Sequence, residues 1–135
     1  MARKPISESE TEKITINLGC VDLGRVDLLV KEGFYSNRSD FIRTAIRTQL
    51  GSHEQVIQQA VARHTYVLGL QDFTRSQLEA LRKKGERLRI QVLGLARIAP
   101  DVSPELALAT IESVRVLGSL QASDAVRRAL SDRIQ

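Results

Sequence analysis

Residues 13 to 18, Lys-Ile-Thr-Ile-Asn-Leu, alternate strictly between polar and apolar positions. That period of two predicts a short strand with Ile14, Ile16 and Leu18 on one face and Lys13, Thr15 and Asn17 on the other. The period then changes. Val21, Val26, Leu29 and Val30, with Leu23 and Leu28 nearby, suit a helix of about three turns closed by Gly33. Asn37 has the side chain of a good N-cap, and Asp40 stands three residues on at capping-box spacing. Phe41, Ile42, Ala45, Ile46 and Leu50 then form one apolar stripe, with Arg43 and Arg47 off it. Gly51 and Ser52 can end this second helix, with Ser52 and Gln55 capping another that runs to about Arg63. A single long helix through Gly51 fits the same residues.

From residue 64 an internal repeat governs the pattern. Val67-Leu68-Gly69, Val92-Leu93-Gly94 and Val116-Leu117-Gly118 recur at separations of 25 and 24 residues. Each triplet lies in a β-rich run, Thr65 to Leu70, Leu88 to Leu95 and Val114 to Leu120. Each run is followed by a helix start: Thr74 with Gln77, Ser103 with Pro104, and Ser123 with Asp124. Leu78 and Leu81, then Leu106, Ala109 and Ile111, then Val126, Ala129 and Leu130 supply the sides to be buried. The second half therefore reads β-α three times, a small α/β region of parallel, solenoid-like strands joined by right-handed crossovers. The expected organisation is an arm over 1–11, a strand-helix-helix unit over 12–50, a helical connector over 51–63 and the βα-repeat region over 64–135.

A lone strand leaves its N–H and C=O groups unpaired, and fifty residues enclose little core. A second copy resolves both problems. Two strands paired antiparallel complete the ladder, and four helices bury Ile14, Ile16, Leu18, Phe41, Ile42 and Ile46. The other face of the ribbon then shows Lys13, Thr15 and Asn17 twice about a two-fold axis. A ribbon of that width fits the major groove of B-DNA. Lys pairs with guanine O6 and N7, Asn with adenine, and Thr offers a hydroxyl and a methyl for thymine.

The strand Lys13 to Leu18, followed by Asn37-Arg38-Ser39-Asp40-Phe41-Ile42-Arg43-Thr44-Ala45-Ile46-Arg47, resembles the ribbon-helix-helix family of bacterial transcriptional regulators. The likeness spans residues 12 to 50, under a third of the chain. It implies a homodimer that reads bases with Lys13, Thr15 and Asn17. It also implies a phosphate held at the start of the second helix, by the N–H groups of Arg38 and Ser39 with the Asn37 side chain. Arg3 and Lys4 are candidate auxiliary contacts to DNA.

Composition changes this picture little. The net charge of +4 divides as eight Lys/Arg against seven Asp/Glu through Leu50 and twelve against nine beyond it, so charge permits nucleic-acid binding without demanding it. The one cysteine, Cys20, forms no internal disulfide, fits a reducing compartment and reads as a semi-buried small hydrophobe. Apolar runs fall far short of the roughly 20 residues of a membrane span, and no apolar signal core opens the chain. A cytoplasmic, nucleoid-associated protein is expected. The two histidines, His53 and His64, stand about 16 Å apart on a continuous helix and make no metal cluster with Cys20. That argues against a metal-sensing second half of the kind found in the family's nickel-responsive regulator. No cofactor is expected, and no nucleophile motif, phosphate loop or carboxylate pair suggests an enzyme. The run Arg82-Lys83-Lys84-Gly85-Glu86-Arg87 reads as a solvated helix end, with extra phosphate contact as the minor alternative.

The function expected is thus a sequence-specific regulator of transcription, a repressor, whose second half builds assemblies larger than a dimer. Two alternatives share the DNA-binding half. One is an antitoxin-like protein whose second half binds a partner protein, and the other is a regulator that senses a small effector there.

Overall fold

The computed structural model describes residues 10–135. Contacts divide the chain into two units, one of Thr11–Ala60 and one containing Val61–Gln135. Arg3 and Lys4 lie outside the described residues.

The first unit holds two helices, α1 (Cys20–Lys31) and α2 (Arg38–Ser52). Gly24 is accommodated inside α1. The helix is closed by Gly33 at φ 87°, with the Phe34 N–H donating to the Leu29 carbonyl and the Gly33 N–H to that of Val30. Only a residue without Cβ adopts that left-handed turn freely, which fixes the end of the helix. The next helix, α3 (Glu54–Arg63), follows one residue after α2. Both expected readings of Gly51 are thereby corrected. The glycine is helical, the break comes at His53, and the Ser52 hydroxyl donates back to the Gln49 carbonyl instead of capping α3.

Residues 13–18 carry no strand in the single chain. A strand exists only as part of a ladder, and among the described residues this segment has no neighbour to pair with. Its apolar positions stand in solvent, Ile14 at 74% exposure and Ile16 at 58%.

The second unit is built on the repeat. Three strands, β1 (Val67–Phe73), β2 (Leu88–Ile98) and β3 (Ile111–Gln121), form a parallel sheet in the order β1-β2-β3. Three helices follow them in turn: α4 (Arg75–Lys84), α5 (Pro104–Thr110) and α6 (Asp124–Ala129). Each helix start obeys its local chemistry. Thr74 and Gln77 make a reciprocal capping box, while the hydroxyls of Ser103 and Ser123 accept the Leu106 and Val126 N–H groups. Each such cap is worth about 1 kcal/mol. The helices lie side by side, α4 against α5 and α5 against α6. Ile90, Val92, Ala96, Ile98 and Val114 of the sheet pack with Leu78, Leu106, Ala107, Val126 and Leu130. Leu78 and Leu130 are fully buried, and burying such a side chain contributes about 1.5–3 kcal/mol.

Sequence expectations needed adjustment at three points here. β3 begins at Ile111, so that residue is buried as the first of a strand and not on a helix. Thr65 precedes β1 and takes φ 54°. Cys20 is exposed at the start of α1 rather than semi-buried.

The three triplets align across the sheet, Val67 with Val92 and Val116, Leu68 with Leu93 and Leu117, Gly69 with Gly94 and Gly118. The glycines take φ of 120°, 139° and 121°. A Cβ on Gly94 would stand 2.2 Å from the Gly69 carbonyl oxygen, and one on Gly118 would stand 2.0 Å from that of Gly94. The triplet thus recurs because the backbones of successive strands approach too closely for any side chain at that position.

Candidate nucleic-acid interface

The expected base-reading residues Lys13, Thr15 and Asn17 lie in the exposed segment that leads into α1. The apolar residues between them lie beside a groove in the same unit. Ile16 and Leu18 line it from the segment, Val26 and Leu29 from α1, and Phe41, Ile42 and Ile46 from α2, around a volume of about 410 Å³. Within α1 and α2 only Val26 is buried, and Ile46 remains 47% exposed. Two amphipathic helices with one buried side chain between them have an unfinished core.

The start of α2 is shaped by its sequence. Asn37 Oδ1 accepts the Asp40 N–H at 2.8 Å, and Asp40 Oδ2 accepts the Ser36 N–H at 2.9 Å. Tyr35 stacks edge-on against Phe41 at 5.0 Å between ring centroids, fixing the entry of the chain into the helix. Arg38 and Ser39 are the first two helical residues. Their N–H groups lack intrahelical acceptors and face the positive end of the helix dipole. With the Asn37 oxygen occupied, its amide N–H₂ is the part left to meet an anion.

Sequence reasoning missed Asp27. It accepts a forked pair of bonds from Arg38, Nε to Oδ1 at 2.7 Å and Nη2 to Oδ2 at 2.8 Å. This bridge ties α1 to the first turn of α2. It directs the Arg38 guanidinium along α1 and leaves the backbone N–H groups as the anion-facing donors at that end. No local rule pairs residues eleven apart on different helices, so only the packing of α1 on α2 exposes it.

The hydrogen bonds from Arg38, helped by its charge, hold the Asp27 carboxyl below its ordinary range, and Asp27 in turn raises Arg38. The sign follows directly. A carboxylate with a lowered folded-state pKa adds stability above the ordinary carboxylate range, and that stability is lost as pH falls through the lowered value. In a carboxyl-carbon NMR titration, the Asp27 midpoint is expected to lie at lower pH in the native chain than in Arg38→Ala. Equal midpoints would mean that the bridge does not persist in solution.

The remaining candidates are not drawn together. His53 lies within 3.3 Å of the Gln49 amide and His64 packs edge-on against Tyr66. Among the described residues no three His, Cys, Asp or Glu side chains group to hold a metal, and no helix is long and apolar enough to cross a membrane. Arg82, Lys83 and Lys84 form the exposed last turn of α4, closed by Gly85 at φ 68°.

In comparison with known proteins, the model of the ribbon-helix-helix transcriptional regulator family matches residues 9–127. The match reaches far beyond the 12–50 stretch that carries the motif likeness and takes in the repeat as well. No curated protein and no solved structure matches the chain.

Proposed function

The chain belongs to the ribbon-helix-helix transcriptional regulator family, and on that premise we propose that it is a sequence-specific repressor whose paired ribbon reads the major groove. Residues 13–18 of two copies pair antiparallel, and their apolar faces close the groove that one copy leaves open. Ile14, Ile16, Leu18, Phe41, Ile42 and Ile46 form that dimer core. Lys13, Thr15 and Asn17 from each copy meet base edges. The Arg38 and Ser39 N–H groups, with the Asn37 amide, bind a backbone phosphate on each side and fix the register. Arg3 and Lys4 add contacts to the flanking backbone. The functional parts are an arm over 1–11, a reading head over 12–50, a connector over 51–63 and an assembly region over 64–135, working in the cytoplasm at the nucleoid.

The observation that carries this reading is the adjacency of an unpaired alternating segment and an unfinished apolar groove in a chain of this family. One partner, a second copy, satisfies both. The test is selection of bound sequences from random duplex DNA by the full chain. An enriched site with two-fold symmetry is expected, bound more weakly as salt rises because phosphate contacts release counterions. Binding without any sequence enrichment would sink the proposal.

A further inference from the structure

Resting on the reading that the second half associates copies, we infer that it does so head to tail. The open edge of β3 in one copy accepts β1 of the next as a fourth parallel strand. Both edges lack the features that usually keep an edge strand from pairing. Val116 to Gln121 contains no charge and no proline, and β1 carries only Asp72. Natural sheets rarely leave such edges bare.

The glycine ladder gives the register and the direction. Within the chain, the carbonyl of Gly69 occupies the space where Gly94 lacks a Cβ, and the carbonyl of Gly94 does the same for Gly118. By the same repeat the Gly118 carbonyl faces the free side of β3. At the other end, a Cβ on Gly69 would meet nothing within 4 Å. One edge thus carries the projecting carbonyl and the other the matching clearance. Placing Gly69 of a neighbour beside Gly118 sets Val67 beside Val116 and Leu68 beside Leu117, the register already used twice inside the chain. Two β1 edges meeting antiparallel would bring two clearances together with no carbonyl to fill them.

The chain's own C-terminal residues leave room for this strand. Ile134 bridges β3 at Val114, with the Val114 N–H donating to the Arg133 carbonyl and the Gln135 N–H to that of Val114. That bridge ends before Val116, where the neighbour's β1 would start. The side chains agree. On the sheet face opposite the helices, Leu93 is half-buried between its two neighbours, while Leu68 and Leu117 at the edges are 63% and 54% exposed. A head-to-tail neighbour gives each edge leucine the flanking partner it lacks. Since the two surfaces differ, the contact is heterologous and propagates instead of closing on itself.

A charge exchange at these two leucines tests the geometry. Leu68 and Leu117 lie on either side of Leu93, about 10 Å apart in one copy, but would be about 5 Å apart across the joint. Both are exposed, so the variants should melt as the native chain does by circular dichroism. In sedimentation velocity of the full chain, species larger than a dimer are expected for the native protein. They should be lost in Leu68→Lys with Leu117→Lys and regained in Leu68→Lys with Leu117→Glu. Assembly that survives the double-lysine change, or fails to return with the lysine-glutamate pair, overturns the head-to-tail joint while leaving association by another surface standing. A native chain that never exceeds a dimer overturns both the joint and the assembly reading.

Discussion

Alanine at Gly94 or Gly118 is expected to unfold the repeat half, whereas alanine at Gly69 should leave it folded but weakened. At Gly94 the new Cβ would fall 2.2 Å from the Gly69 carbonyl oxygen, and at Gly118 it would fall 2.0 Å from the Gly94 oxygen. In both cases the obstacle is backbone, held by the neighbouring strand on one side and by the packed helices on the other. The strands must separate, breaking the ladder at its centre. Overlap of this kind adds to the cost of holding alanine at φ 139° or 121°, and a total beyond about 4 kcal/mol is a large part of the 5–15 kcal/mol that stabilises a typical domain. Gly69 shares the backbone conformation, at φ 120°, but its Cβ would enter open space. Its substitution then costs only the conformational strain, about 1–3 kcal/mol. Thermal melts followed by circular dichroism separate the cases. Equal losses at all three positions would show that backbone conformation alone, and not the close approach of strands, requires the glycines.

Changing Lys13, Thr15 and Asn17 together to alanine is expected to abolish sequence preference while leaving the fold intact. The three are exposed, and no packing is lost with them. A well-made base contact discriminates by about 1–3 kcal/mol. Three residues used twice in a two-fold dimer therefore account for a specificity of at least a thousandfold. Competition between the selected site and random DNA measures this directly. A triple variant that keeps the native preference would rule out the ribbon as the reading element. Asn37→Ala should act differently, weakening binding to all sequences alike because phosphate carries no base identity. The contrast between the two variants separates reading from anchoring.

Much of the second half was legible in the sequence because its rules are local. The caps at Thr74, Ser103 and Ser123 depend on three-residue spacings, and the Val-Leu-Gly recurrence marks equivalent positions in successive strands whatever the tertiary detail. The precise strand ends were not legible. Ile111 suits a helix or a strand equally, and the choice falls to the sheet, which extends β3 back to it. In the first half the helices followed from their apolar stripes and from Gly33 and Asn37. Gly51 misled because an exposed glycine costs a helix only about 1 kcal/mol, which neighbouring turns absorb. The segment Lys13 to Leu18 shows the opposite limit. Its alternation specifies a strand face, yet the hydrogen bonds that would make it a strand lie outside a single chain. Asp27 was hidden for a third reason, since its partner Arg38 comes near only when two helices pack.

The lateral repetition of strand and helix has one more consequence, which concerns length. Each coil rests on its neighbours alone, α4 on α5 and α5 on α6, and nothing closes the sheet into a ring. The size of this half is therefore set by how many units the gene encodes, not by a geometry that must come full circle. A duplication of about 24 residues, from one Val-Leu-Gly to the next, would lengthen the structure while preserving every existing contact type. A tract of this kind can grow or shrink by whole units between relatives without passing through a misfolded intermediate.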